Sequence, residues 1–220
     1  MIRALIFDFD GLICDTETAL IDAYGAIYRQ HGVPFDRELF LRSVGHADYA
    51  FDPWHAFEKR ADRLALELER REHNRQLEEE LPILPGVLDL LTAGETAGAR
   101  LGIASNSRHD HVERHLHRLG LLSRFSVIGC REDVISPKPE PDLYRYVVNE
   151  LGVAPHEAVA FEDSRTGSLA AKRAKLWAVA APNSSTAHHD FSHVDWKVAS
   201  LLECTWPKLT GMVERDLRPR

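Results

Sequence analysis

The pattern of apolar and polar positions divides the chain into three parts. Residues 2–9 form a short apolar run that contains β-branched and aromatic side chains, which predicts a buried strand. Residues 16–30 have apolar side chains at helical spacing, and residues 36–80 are expected to be helical throughout. No strand pattern occurs between residues 15 and 80, so this stretch reads as a helical insertion after the first strand.

Strands and helices alternate from residue 81 onward, after a boundary marked by Pro82 and Pro85-Gly86. The predicted strands are 100–105, 125–129, 158–161 and 176–180. The predicted helices are 87–97, 108–119, 141–151 and 165–174, with a last helix over 196–202. This alternation indicates an α/β protein with a parallel sheet and right-handed crossovers.

Composition narrows the class of protein. The chain has 220 residues, of which 44% are hydrophobic, and this suffices for one large domain or one core with an insertion. Its net charge of −7 provides no basic surface for nucleic acid, and no apolar run is long enough to span a membrane. We expect a cytoplasmic protein, because no secretory signal precedes the first strand and three scattered cysteines form neither a disulfide framework nor a zinc pattern.

The first strand ends in a pair of carboxylates, Asp8 and Asp10, followed by Gly11, which permits a sharp turn. Ligands of open α/β sheets bind beyond the carboxyl ends of the strands. Residues two apart point the same way while the strand lasts, so the two charges would repel each other unless a cation were bound. Taken alone, the pair is more typical of two solvated turn aspartates.

Three more predicted strands are followed by polar side chains. Ser105 and Asn106 suit an oxyanion at a helix N-terminus, although a serine there also serves as an ordinary N-cap. Lys138 lies between two prolines and is suited to neutralising a phosphate or carboxylate, the alternative being a solvated lysine. Glu162 and Asp163 form a second acidic pair, which alternatively caps the following helix.

The four groups are more specific together than any one of them alone. All follow strands of one predicted sheet, where up to four carboxylates would meet at the same edge. Such an arrangement favours a hard cation with oxygen ligands, and Mg²⁺ is the natural choice because it also bridges to substrate phosphate.

The chain resembles the haloacid dehalogenase superfamily in four motifs, which occur in this order: DFDGLICDTE, SNS, K-P-x-P and FEDSRTGSLAAKRA. The nearest subgroup is the β-phosphoglucomutase-like phosphatases with a helical cap, and the resemblance covers essentially the whole chain. It implies a Rossmann-like three-layer core with a parallel sheet, formed by residues 1–14 and 81–220. An all-helical cap domain, residues 15–80, would be inserted into this core.

The resemblance also implies a Mg²⁺-dependent phosphatase that hydrolyses a small phosphate monoester, such as a sugar phosphate, through an aspartyl-phosphate. Asp8 would be the nucleophile, and Asp10 the general acid and base. Mg²⁺ would be held by Asp8, the backbone carbonyl of Asp10 and Asp163, with Glu162 acting directly or through a metal-bound water. The residues expected to bind the phosphoryl group are Gly11, Ser105, Asn106 and Lys138, with Ser105 and Lys138 also counted as catalytic.

The chain departs from the family pattern at two positions. Relatives usually have glycine after the AA-x-x-A of the last motif, where this chain has Lys175. Mutases of the family carry a histidine early in the first cap helix, where this chain has Leu20, so we favour the phosphatase over a phosphosugar mutase. We expect a monomer that acts on a small phosphorylated metabolite.

Other noticeable features admit simpler explanations. Four histidines on the helix predicted at 108–119 are expected to form a solvated face in preference to a metal site: His109, His111, His115 and His117. Histidines of the polar stretch 188–193 are expected to be exposed. Trp54 and His55 are compatible with either a substrate pocket or an ordinary cap core.

Overall fold

A computed structural model describes residues 1–43, 52–57 and 62–216. The described residues contain a six-stranded parallel sheet with the order β3-β2-β1-β4-β5-β6. Its strands are β1 (Ala4–Phe7), β2 (Arg100–Ala104), β3 (Val127–Gly129), β4 (Ala158–Glu162), β5 (Trp177–Ala180) and β6 (Trp196–Lys197). The expected α/β fold with a parallel sheet is confirmed.

The helices follow the alternation predicted from the sequence. They are α1 (Thr16–Gln30), α2 (Arg37–Ser43), α3 (Arg63–Glu80), α4 (Val87–Thr96), α5 (His109–Arg118), α6 (Asp142–Glu150), α7 (Arg165–Arg173) and α8 (Trp206–Asp216). Short 3₁₀ turns occur at His55–Phe57, Leu122–Arg124, Arg131–Asp133, Pro155–Glu157 and Leu201–Glu203.

Two compact units make up the chain, Met1–Cys14 with Ile83–Arg220 and Asp15–Pro82. The first contains the whole sheet, and the second contains α1, α2 and α3. The division into a catalytic core and a cap with a specific role stays a prediction.

The sheet unit is built on β1, which lies between β2 and β4 and is completely buried. Parallel strands that are covered on both faces require apolar side chains on both faces, which explains the unbroken run ALIF. Phe7 pairs with Phe161 of β4, and their rings stack with centroids 4.8 Å apart. This packing fixes the carboxyl end of β1 beside the carboxyl end of β4.

The helical unit has an aromatic interior. Tyr24 and Tyr28 of α1 face Phe40, Trp54 and Phe57, all of them buried. Trp54 therefore belongs to this core, with its ring centroid 5.2 Å from that of Tyr24. His55 is exposed.

The prediction of continuous helix over 36–80 is wrong at several described residues: 53–54 form a turn, His55–Phe57 a 3₁₀ turn, and Asp62 has extended backbone before α3 begins. Asp52 accepts a hydrogen bond from the backbone N–H of Trp54, and Pro53 has no N–H to donate to a helix. Residues 44–51 and 58–61 lie outside the described part of the chain.

The helix predicted at 196–202 is also wrong. Residues 196–197 form β6, and Val198 donates its backbone N–H to Ala180 at 2.9 Å. Asp195 accepts the backbone N–H of Ala178 at 2.7 Å, which ties this segment to β5. These contacts with β5 draw the segment into the sheet, and the last helix begins at Trp206 instead.

Lys175 follows the C-terminus of α7 in the left-handed region, with φ of 67°. Every other described residue with positive φ is glycine, so Lys175 occupies a position where its Cβ is strained.

Candidate active site

Lys138 joins two carboxylates at the carboxyl edge of the sheet. Its Nζ donates to Asp8 Oδ1 at 2.9 Å and to Glu162 Oε1 at 2.6 Å, and the Lys138 side chain is only 3% exposed. Asp8 immediately follows β1, and its backbone N–H donates to Phe161 O of β4 at 3.0 Å. The strand order therefore brings together three residues that lie far apart in the sequence.

Asn106 fixes the loop that carries Lys138. Its Nδ2 donates to the backbone carbonyl of Lys138 at 3.1 Å, and its Oδ1 accepts the backbone N–H of Lys138 at 2.9 Å. The Asn106 side chain thus supports the Lys138 backbone on both sides. Its predicted contact with a phosphoryl group stays a prediction.

Glu162 is completely buried at the end of β4. Its Oε1 accepts from Lys138 and from the Tyr144 hydroxyl, which lies 2.5 Å away. Its Oε2 has no hydrogen-bond partner among the described residues. Gly167, in the first turn of α7, leaves room for this carboxylate, because a Cβ there would lie 1.9 Å from Oε2.

Asp163 is held by residues that follow the fifth strand. Asn183 Nδ2 lies 2.9 Å and Thr186 Oγ1 3.4 Å from Asp163 Oδ2. Asn183 Nδ2 also donates to the backbone carbonyl of Gly11 at 3.0 Å. Gly11 has φ of 76°, and a Cβ there would be 2.6 Å from both Asn183 and Asp163, so only glycine fits.

Asp10 contacts donors from the segment that follows β2. Its Oδ2 accepts from Ser107 Oγ at 2.6 Å and from Ser105 Oγ at 3.4 Å. Its Oδ1 lies 2.8 Å from His111 Nε2 on α5. The structure therefore places Asp10 beside Ser105, as the strand-end pattern predicts.

The buried carboxylates fit a hard divalent cation. Oxygen atoms of Asp8, Glu162 and Asp163 lie within 4.8 Å of one another, and all three residues are buried. Burial, followed by the charge of Glu162, raises the pKa of Asp8 to about 7. Burial opposes the charge on Lys138, but Asp8 and Glu162 hold its pKa above the ordinary value. The cluster holds three carboxylates and one ammonium, which contacts two of them, and a cation with oxygen ligands would neutralise the excess negative charge.

The sequence analysis missed several residues of this site: Ser107, His111, Tyr144, Asn183 and Thr186. Asn183 and Thr186 follow the fifth strand, so the strand-end rule could have identified them. Tyr144 lies on a helix, and no local motif distinguishes it from other helical residues. His111 belongs to the histidine cluster at 108–119, which the sequence analysis interpreted as a solvated face.

The expectation that the helix 108–119 presents a solvated histidine face is wrong for two of its members. His111 contacts Asp10, and His115 is completely buried with its ring 5.6 Å from that of Phe9. His117 is exposed, as expected.

The expectation for the loop histidines is partly wrong. His188 is exposed, but His193 is partly buried, with its Nε2 2.9 Å from Ser168 Oγ. His189 is also partly buried and accepts the backbone N–H of Arg165 at 3.4 Å.

Comparison with known proteins identifies the class. The family model of haloacid dehalogenase-like hydrolases matches residues 5–181. YhcW of Bacillus subtilis (strain 168), provisionally named a phosphatase, is 39% identical over 207 residues, covering 92% of this chain and 94% of YhcW. Hexitol phosphatase B of Escherichia coli (strain K12) is 31% identical over 223 residues, covering 96% and 97% of the two chains.

Among solved structures, CbbY from Rhodobacter sphaeroides in complex with phosphate has a TM-score of 0.71 and 30% identity. The match covers 92% of this chain and 96% of CbbY. The family model and the relatives named as phosphatases show that the chain is a hydrolase acting on phosphate esters. The chain belongs to the haloacid dehalogenase-like hydrolase family, with relatives among β-phosphoglucomutase and CbbY-like proteins, which confirms the resemblance carried by its motifs.

No helix in the described ranges is long and apolar enough to cross a membrane.

Proposed function

We propose that this protein is a Mg²⁺-dependent phosphatase that acts on a small phosphorylated carbohydrate through an aspartyl-phosphate intermediate. The observation that carries the proposal is the buried contact of Lys138 with Asp8, beside Glu162 and Asp163. The relatives support the substrate class, since one of them is named hexitol phosphatase B.

Asp8, Asp163 and the backbone carbonyl of Asp10 would hold Mg²⁺, which when bound neutralises negative charge on the phosphoryl group. The main role of Glu162 in this proposal is not to bind the metal, because its Oε1 already accepts hydrogen bonds from Lys138 and Tyr144. It holds Lys138 against Asp8. A direct or water-mediated contact of Glu162 with the metal stays a prediction.

In the first step, a carboxylate oxygen of Asp8 attacks phosphorus, and the bond between phosphorus and the ester oxygen breaks. The Asp10 carboxyl gives its proton to the departing oxygen, which leaves as an alcohol. Lys138 and Ser105 would donate to phosphoryl oxygens, and each such donor contributes roughly 3–4 kcal/mol of transition-state stabilisation.

In the second step, water attacks the phosphorus of the aspartyl-phosphate. Asp10 takes a proton from this water, the bond between phosphorus and the Asp8 oxygen breaks, and inorganic phosphate leaves. Asp8 is then a free carboxylate and Asp10 is protonated again. Both residues are ready for the next turnover.

Leu20 of α1 favours hydrolysis over phosphosugar mutation. The mutases that this chain resembles carry a histidine at this position, and a leucine side chain has no group that donates or accepts a proton. Without such a group, water is the expected acceptor of the phosphoryl group. Incubation with β-glucose 1-phosphate and catalytic bisphosphate tests this, because glucose 6-phosphate formed faster than inorganic phosphate would contradict hydrolysis.

The main test is release of inorganic phosphate from p-nitrophenyl phosphate and a panel of sugar and polyol phosphates, with Mg²⁺ or with EDTA. We expect activity with Mg²⁺ and its loss in EDTA. Lys138→Met should lower kcat by about 10²–10³-fold, because it removes a donor to the phosphoryl group. Lys172→Met is the matched control, since Lys172 pairs with Asp195. Full activity in EDTA would refute the metal assignment, and a fully active Lys138→Met would refute the role of Lys138.

We also propose that the protein is a cytoplasmic monomer. The support for the compartment is that three cysteines, odd in number and widely spaced along the sequence, do not form the pattern of a disulfide framework: Cys14, Cys130 and Cys204.

A further inference from the structure

Asp10 is held through both of its carboxylate oxygens, and one of the two is held by a histidine that the proposed mechanism does not use. We infer that His111 is a positioning residue that orients the Asp10 carboxyl for proton transfer to the leaving group. This inference rests on the proposed function, because it concerns the acid–base step of that reaction.

The contact comes from the start of α5. His111 is the third residue of this helix, and its Nε2 lies 2.8 Å from Asp10 Oδ1. When Asp10 is ionised, its Oδ1 only accepts, so Nε2 of His111 carries the hydrogen and donates it. On the other side, Ser107 donates to Asp10 Oδ2 at 2.6 Å. Donors on both oxygens fix the rotation of the carboxylate plane.

The imidazole ring of His111 is itself held in place. It meets the ring of Phe9 edge-on, with centroids 5.9 Å apart and an interplanar angle of 87°. It also packs against His115 at 4.7 Å, and His115 is completely buried. Phe9 lies next to Asp10 in the sequence, so the His111 ring packs against the neighbour of the acid–base residue as well as contacting its carboxylate.

The position of Asp10 matters most when the leaving group is a poor one. An alkoxide must receive a proton as it departs, whereas p-nitrophenolate departs readily without one. A displacement of about 1 Å can cost on the order of 100-fold in such a step. Loss of the His111 contact should therefore impair alkyl phosphates more than p-nitrophenyl phosphate. A general structural defect would impair both to the same degree.

The variants separate the hydrogen bond from the packing. His111→Phe keeps a ring against Phe9 and His115 but removes the donor. His111→Gln restores an N–H at a similar reach without the ring. His117→Phe is the matched control, because His117 lies on the same helix and is exposed.

The measurement is kcat/KM for p-nitrophenyl phosphate and for the sugar or polyol phosphate with the highest turnover. This parameter reports the steps up to formation of the aspartyl-phosphate, where the leaving group is protonated. We expect His111→Phe to lower the alkyl value by about tenfold or more and the aryl value by less than about threefold. His111→Gln should recover most of the loss, and His117→Phe should match the wild type.

Equal losses for the two esters, no loss, or a gain in His111→Phe would each overturn the inference, as would a His111→Gln variant no better than His111→Phe. If His111→Phe does not fold, His111→Ala provides the same comparison with His111→Gln. A wild-type protein that hydrolyses no phosphate ester would instead refute the proposed function, and the inference with it.

Discussion

Substitution of Gly167 tests the buried hydrogen-bond network that holds Lys138, because the structure leaves no room for a larger residue at this position. A Cβ at Gly167 would lie 1.9 Å from Glu162 Oε2 and 2.1 Å from its Cδ, and real Cβ atoms essentially never come within 3.0 Å of a neighbour. Glu162 is completely buried, so it can retreat only by weakening its bonds to Lys138 and Tyr144. We therefore expect Gly167→Ala to destabilise the protein.

The magnitude follows from three contributions. Alanine is favoured over glycine inside a helix by about 0.8–1 kcal/mol. Overpacking a buried site costs about 1–3 kcal/mol, and losing a hydrogen bond to a charged group costs about 1.5–3 kcal/mol. The net loss is about 1.5–5 kcal/mol, which for a chain of this size lowers Tm by roughly 3–20 °C.

Gly211→Ala is the matched control for differential scanning calorimetry. Gly211 lies within α8, and a Cβ there would meet no atom within 4 Å. Helix propensity alone then predicts a gain of about 0.5–1 kcal/mol. The two substitutions should thus shift Tm in opposite directions. If Gly167→Ala were stabilised as much as Gly211→Ala, Glu162 could not occupy the position that the structure gives it.

Four further predictions concern the pair Asp8 and Asp10, the strained Lys175, the buried Tyr144, and the pH dependence of stability. Asp8→Asn should abolish turnover. Asp10→Asn should reduce turnover severely but leave Mg²⁺ binding, measured by calorimetry, largely intact. Turnover by the Asp8→Asn variant would exclude Asp8 as the nucleophile. Lys175→Gly should be neutral or up to about 1 kcal/mol more stable, because glycine relieves the strain of a left-handed residue; a clear fall in Tm would show that Lys175 makes a needed contact. Tyr144→Phe should lower the free energy of unfolding, measured with urea, by about 1.5–3 kcal/mol, because Tyr144 donates a hydrogen bond to the buried Glu162 carboxylate. An unchanged free energy of unfolding would argue against that hydrogen bond. In EDTA, the free energy of unfolding should fall as the pH rises from about 4 to about 7, because burial raises the pKa of Asp8 from 3.8 to about 7 and the folded state therefore binds this proton more tightly than the unfolded state. Asp8→Asn should make the free energy of unfolding less dependent on pH in this range. An equal slope in that variant would assign the pH dependence to other groups.

The alternating part of the fold could be predicted almost to the residue. α4, α5, α6 and α7 each begin and end within one residue of their predicted limits, and outside the alternating part α1 spans the predicted residues 16–30. Strands buried on both faces are uninterrupted apolar runs, and helices have apolar positions at a different period. Gly120 and Gly152, both with positive φ, mark the turns after α5 and α6. These signals are local, so one sequence is enough to detect them.

The two wrong helix predictions, over 36–80 and 196–202, fall on segments whose local sequence signals are weak. β6 has only two residues, and its segment is held in the sheet by hydrogen bonds with β5, in which Asp195 and Val198 donate backbone N–H groups to β5 carbonyls and Ala178 donates to the Asp195 side chain. The turn at 52–54 depends on an Asp52 side chain that competes with the helix for a backbone N–H. In both places, contacts outside the periodic pattern outweighed a modest helical tendency.

The sequence by itself determined that carboxylates, a hydroxyl group and a lysine would meet at one edge of a parallel sheet, because that outcome requires only the position of each residue relative to the end of its strand. The tertiary structure decided which side chain each of them touches. His111 and Asp10 are 101 residues apart, and Tyr144 is 18 residues from Glu162. Those contacts depend on the strand order and on the rotation of α5 and α6 about their axes, which are fixed by packing against the whole sheet and leave no local trace in the chain.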